Sequence, residues 1–269
     1  MGADDGGDNH GEPAHSRDLP GFAATHYRFF LKRRLALMNS PAPDERDYSQ
    51  LTGLAKPSLE KLAHQQIREH MLNGYFLPGM LLSENELAER FGMSRTPIRA
   101  AISLLEKEGF VESIRGRGVF VKDISFREFH EMFEVLSSLQ LYSLDIAAMR
   151  KLDFDLPTLE GYLERQLRAS AEDDYRTYYE SGLLFIETML RMVKNASMLQ
   201  IIEQIKGKYM FKIISYRKLH VHTLPKPQQS GHFNKRIYQA LAAGDLDEAR
   251  GVVLELIEQM RRQFQSFDM

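Results

Sequence analysis

SENELAERFGMSRTPIRAAISLLEKEGFVESIRGRGVFV, residues 83–121, holds two helix starts, a tight turn and a basic hairpin. Ser83 with Glu86 three residues later is a capping box, which satisfies two orphan N–H groups at a helix start. Leu87 and Ala88 give that helix its buried stripe, and Phe91-Gly92 closes it. Ser94 stands at the cap of a second helix, with Pro97 in the first turn, where a missing N–H costs nothing. The start of this helix presents Arg95, Thr96 and Arg99 on one side. Ile98, Ala101, Leu104 and Leu105 recur at helical spacing on the other. Two cations and a hydroxyl at an exposed helix start suit the major groove of DNA. Phe110 and Val111 then open a strand, residues 114–118 turn, and residues 119–121 return. The glycines permit positive φ and close approach to a phosphate or a minor groove, and Arg115 and Arg117 place two cations at the tip. Alone, such a turn is as readily a solvated hairpin. Following Ser-Arg-Thr-Pro-x-Arg at hairpin distance, it predicts the wing of a winged helix-turn-helix.

Residues 59–121 resemble the DNA-binding domain of the GntR family of bacterial transcription regulators, through LPGMLLSENELAERFGMSRTPIRAAISLLEKEGFVESIRGRGVFV. The resemblance implies that recognition-helix arginines read guanines and that the wing enters the minor groove. Carried over by residue, those roles fall on Arg95, Thr96, Arg99, Arg115 and Gly116. Asn85 stands where the family can carry an arginine contact, so any contact there is altered. Arg117 and Lys122 are expected on phosphates, which set register and carry no sequence information.

The length of 269 residues accommodates two domains, and 43% hydrophobic residues suffice for their cores. No apolar run is long enough to span a bilayer and no signal-peptide pattern opens the chain, so no membrane partner is expected and the cytoplasm is the expected location. Cysteine is absent, which excludes disulfides and thiolate catalysis. The net charge is -2, yet between positions 95 and 122 six Lys or Arg face three Glu. A local basic face of this kind suits DNA affinity that weakens with salt.

Residues 1–57 read as a disordered or variable extension: MGADDGGDNHGEPAHSRDLPG is rich in Gly, Asp and Pro. Within it, YRFFLKRRLALM at 27–38 reads either as an arm that touches DNA or lipid, or as a tail; residues 39–54 read as linker. The winged helix-turn-helix is placed at 58–123, with its helix-turn-helix at 83–102.

From 124 to 269 every segment shows three-four apolar spacing, over residues 125–149, 156–169, 173–193, 197–217, 227–243 and 246–267. The fold class expected is therefore mainly α: a winged helix-turn-helix followed by an all-α bundle for effector binding and dimerisation. FEVLSSLQLYSLDIAAMR, KNASMLQIIEQI and IYQALAAGDLDEARGVVLELI resemble the FCD, or FadR-type, effector domain. A mixed α/β lyase-like sensor would need strands, and an aminotransferase-like one more residues. Many FCD domains hold a metal with one Asp and three His. The corresponding positions here are Gly182, Ile186, Asn234 and Leu256, so no metal or other cofactor is expected. An arginine common near the domain start is replaced by Leu136. A rearranged site from His220, His222 and His232 lacks acidic neighbours, and surface or core histidines are the plainer reading. Leu136, Leu183, Ile186, Met189 and Met192 either fill the core or line an apolar pocket for an organic acid, acyl or aromatic metabolite.

No nucleophile-base pair, paired-carboxylate site or phosphate loop is present, so no catalytic residue is assigned. The resemblance implies a homodimer on a palindromic, double-stranded operator, acting as a metabolite-responsive repressor. The rival is a ligand-independent architectural DNA binder that has lost effector sensing.

Overall fold

The computed structural model describes residues 58–220 and 227–265; the N-terminal extension, its segment 27–38, the linker 39–54 and His222 lie outside them. The DNA-binding half begins with α1 (Leu59–Leu72), capped by the Ser58 hydroxyl, which accepts from the Lys61 N–H. There follow β1 (Leu81–Leu82), α2 (Glu84–Arg90), α3 (Arg95–Lys107), β2 (Val111–Ile114) and β3 (Gly118–Val121). The Ser83/Glu86 capping box that opens α2 is formed in both directions. β3 lies between β1 and β2 in an antiparallel sheet, with Leu82 opposite Val119 and Ile114 opposite Gly118. Ile67, Leu87, Ile98, Ala101, Leu105, Val111 and Val121 meet in one core, each 2% exposed or less.

Six helices follow among the described residues: α4 (Phe126–Arg150), α5 (Leu156–Ala171), α6 (Tyr175–Arg191), α7 (Ala196–Leu219), α8 (Gln229–Ala242) and α9 (Leu246–Gln265). The starts of the first four are explained locally. Ser125 and Glu128 form a second capping box, Asp155 and Asp174 accept from backbone N–H groups three residues on, and Asn195 accepts from two. α6 packs on α4, α5 and α7, while α9 closes against α4 and α8. None of these helices is long and apolar enough to cross a membrane.

The two halves share material. Phe211, on α7, is fully buried in the core of the DNA-binding half and meets Phe110 edge-on, ring centres 5.7 Å apart. Lys212 Nζ bonds Asp123 at 3.2 Å and lies over the Phe126 ring. Arg176, on α6, pairs with Glu69 at 2.7 Å and donates to Asn73, both at the end of α1 or just beyond it.

Candidate DNA interface and effector cavity

Pro97 and Ile98 anchor the start of α3 in the core, which leaves Arg95, Thr96 and Arg99 exposed. Glu84, in the first turn of α2, brings the two arginines together. Its Oε2 accepts from Arg95 Nη2 at 2.9 Å and from Arg99 Nε at 2.7 Å. The Arg95 hydrogen bond, with that of Arg99, holds the Glu84 carboxyl below the usual glutamate range, so it stays charged. Ser94 occupies the cap position with extended backbone but makes no capping bond, contrary to the sequence reading. The reason is Pro97 at the third helical position: the N–H a capping hydroxyl most needs is the one proline lacks.

The wing carries Arg115, Gly116 and Arg117 at an exposed tip, with Gly116 at φ 73°. Gly118 is held at φ 121°, and a Cβ there would stand 2.5 Å from the Leu82 carbonyl oxygen, so close strand approach as well as torsion demands glycine. The root of the hairpin is tied to α3: the Ser113 N–H and hydroxyl both donate to the Glu106 carboxylate, at 2.8 and 3.3 Å. Lys122 and Asn85 are exposed. Neither Glu84 nor Glu106 is marked by a local pattern; their partners lie 7 to 15 residues away in sequence.

A cavity of about 510 Å³ opens inside the helical half. Leu136, Leu183 and Ile186 line it as the apolar spacing suggests, whereas Met189 is packed in the core and Met192 beside it. Aromatic walls come from residues the sequence reading did not select. Phe126, Phe129 and Phe133 recur along α4, and Tyr209 and Tyr216 project from α7. The signal was there, as aromatics at three-four-seven spacing, but such spacing equally describes a filled core.

Gly182, Ile186, Asn234 and Leu256 all border this cavity. Three of them offer no donor atom, which leaves the Asn234 amide oxygen as a single possible ligand; Asn234 Nδ2 donates to Gln166 Oε1 at 2.9 Å. A Cβ at Gly182 would stand 2.7 Å from Gln166 Nε2, so the Gln166 amide fills the space a ligating side chain would need. The chain continues from Gln166 Nε2 to Ser230 Oγ, from Ser230 Oγ to Tyr178 Oη, and Gly231 N–H also donates to Tyr178 Oη. These residues do not fit a metal ion. His220 folds back on the Tyr216 carbonyl and His232 is exposed on α8.

An exposed helix-turn-helix and wing joined to a helical domain that encloses a cavity define the architecture of a two-domain DNA-binding regulator. The profile of the bacterial regulatory proteins of the gntR family matches residues 59–121, and that of the FCD domain matches residues 131–259. The chain is 32% identical over 135 residues to an uncharacterised HTH-type transcriptional regulator from the TAR-I ttuE-ttuC' intergenic region of Agrobacterium vitis, covering 48% of this chain and 77% of that one. It is 26% identical over 141 residues to the gluconate operon transcriptional repressor of Bacillus licheniformis, covering 52% and 58%. A GntR transcriptional regulator of Rhodococcus sp. RHA1 has the same fold, with a TM-score of 0.66 at 19% identity over 78% of this chain and 99% of that one. In some curated relatives the match spans about half of the protein, 47% and 44% in two of them. The chain belongs to the GntR family of transcriptional regulators and carries an FCD effector domain. The family is one of DNA-binding regulators, not of enzymes.

Proposed function

We propose that the protein is a metabolite-responsive repressor that acts in the cytoplasm as a homodimer on a palindromic operator. Residues 58–123 read DNA, and residues 124–269 bind effector and pair the subunits. The observation that carries this reading is the double role of α7. Phe211 belongs to the core of the DNA-binding half, while Tyr209, Tyr216 and Arg217 line the cavity. An occupant that binds one setting of α7 more tightly therefore biases the DNA-binding half by its differential affinity.

In this scheme Arg95, Thr96 and Arg99 meet base edges in the major groove, Arg115 and Gly116 enter the minor groove, and Arg117 and Lys122 hold phosphates. Pairing is supported by Val135, Tyr142 and Met149, which are 39%, 44% and 79% exposed at intervals of seven along α4, a stripe suited to a second helix. Repression is supported by the relative named for repressing a gluconate operon.

The test begins with an operator selected from random DNA by the purified protein. Arg95→Ala and Arg99→Ala should each remove about 1–3 kcal/mol of discrimination at one base position. Arg117→Ala should weaken all sequences alike and lower the salt slope by about one. Operator affinity that ignores both recognition-helix substitutions would sink the assignment of α3. Light scattering of Tyr142→Glu should show monomer where the unaltered chain gives dimer.

A further inference from the structure

The cavity has a polar lining that is almost uncharged. Five amide side chains reach it, Gln140, Gln228, Gln229, Asn234 and Gln263, and among the described residues no carboxylate does. Arg217, the single formal charge among the described lining residues, is engaged. Its Nε donates to Tyr179 Oη at 3.1 Å, and its guanidinium stands 5.6 Å from the centre of that ring. Gln140 and Asn234 are 2% and 4% exposed, so the surface they keep faces the cavity they line. Asn234 commits its Nδ2 to Gln166, and Gln140 brings its Nε2 only to Met189 Sδ at 3.8 Å; neither carbonyl oxygen accepts a hydrogen bond. Buried carbonyl oxygens are nearly always paired, so two unpaired ones beside one cavity call for a donor brought in from outside. Tyr178 Oη accepts from Gly231 N–H at 2.7 Å and from Ser230 Oγ at 3.0 Å, which leaves its own proton to be donated. Burial pushes that phenol up, so the proton stays in place. Toward the start of α4 the wall becomes aromatic: Phe129 stacks on Tyr209 at 4.6 Å, and Phe133 follows one turn later. Ring pairs at such separations accept a further ring by stacking or by edge contact.

We propose that this cavity binds a neutral aromatic amide, its ring among Phe129, Phe133 and Tyr209, its N–H groups meeting Gln140 Oε1 and Asn234 Oδ1, and its carbonyl accepting from Tyr178. The proposal rests on the effector-domain reading above and names the ligand class. At roughly 1.5 Å per residue, Phe133 and Gln140 stand about 10 Å apart along α4, which suits a fused ring with a one-carbon amide arm. A carboxylate in the same place would set its charge against two carbonyl oxygens, with its desolvation uncompensated. A cation would meet Arg217 with no carboxylate beside it to offset the repulsion.

The chain contains no tryptophan, so indole emission reports ligand with no indole background from the protein. The full-length protein is titrated with indole-3-acetamide and 1-naphthaleneacetamide, each beside its carboxylic acid and its methyl analogue (3-methylindole and 1-methylnaphthalene). Saturable binding of at least one amide is expected. Its acid, alike in shape but charged, and its methyl analogue, which lacks the polar head, should each bind about tenfold or more weakly. Gln140→Leu should bring the amide down to the level of the methyl analogue and leave the latter's binding unchanged. That variant removes an unpaired buried carbonyl and should melt no earlier than the unaltered chain; if it does melt early, the amide-to-acid ratio of the unaltered protein still decides. The proposal is overturned if neither amide saturates, if an acid or a methyl analogue binds as well as its amide, or if folded Gln140→Leu keeps the amide's advantage. Operator DNA is added last. An amide that binds yet leaves operator affinity unchanged would refute ligand-responsive regulation while the ligand class stands.

Discussion

Glu84 places a negative charge among groups that must approach phosphates, yet it gathers Arg95 and Arg99 on a single oxygen. Two arginines held side by side have lost side-chain freedom before DNA arrives, which favours recognition of a defined base step over diffuse attraction to the backbone. Glu84→Gln should therefore raise affinity for random DNA and reduce the ratio of operator to random affinity, as read by fluorescence anisotropy at two salt concentrations. An unchanged ratio would remove Glu84 from any positioning role. His70 is a second residue-scale case. It is 6% exposed, lies between Phe76 and Phe91, and bonds the Gln66 carbonyl through Nδ1. Burial pushes its pKa below the ordinary value of 6.5. The unfolded chain then takes up a proton before the folded one does. Stability is thus undiminished above about pH 6.5 and falls as pH drops from there toward the folded pKa. Melting temperatures measured between pH 7.5 and 5.5 should decline, and His70→Phe should decline less; parallel curves would assign the slope to other groups.

At the scale of elements, the wing sets two glycines with positive φ close together for different reasons. Gly116 faces open space, so Gly116→Ala meets only torsional strain, on the order of 1 kcal/mol. Gly118→Ala would also press a methyl group into the Leu82 carbonyl, parting β1 from β3. Chemical denaturation should find Gly118→Ala the more damaging of the two by about 1 kcal/mol or more, and equal losses would mean that β1 yields freely. This contrast also marks the limit of what sequence shows. The helices were legible because caps and apolar spacing are local: Ser83/Glu86 opens α2 as its pattern implies, and the apolar spacing over 197–217 became α7. β1 was not, since two leucines after Pro-Gly have no period of their own and become a strand only by pairing with β3. The replacement of the metal-type residues was readable position by position. Its structural consequence, the Gln166–Asn234 bond, joins residues 68 apart and leaves no local trace.

For the whole molecule, the question is how an event in the cavity could reach α3. α7 runs from the core of the helical half to the DNA-binding core, and the Arg68 guanidinium from α1 lies over Gly207, in the space a Cβ would take. Phe211 is the side chain that crosses. It is fully buried against Phe110, itself next to the first residue of β2, and β2 is bonded through Ser113 to Glu106 on α3. A shift of α7 along its axis would therefore be felt at the wing root and at the recognition helix together, through packed groups that have few alternative arrangements. Phe211→Ala should cost about 3–5 kcal/mol, as truncation of a buried aromatic does. Two consequences separate it from an ordinary core defect. Calorimetry should resolve the DNA-binding half as an earlier, independent transition, because the contact that makes the halves melt together has gone. Any ligand that alters operator affinity in the unaltered chain should also lose that influence, although its own binding to the cavity persists. A variant that is merely less stable, still melting in one step and still ligand-responsive, would place the coupling in the Arg176–Glu69 and Lys212–Asp123 pairs instead, where charge and not packing would carry it.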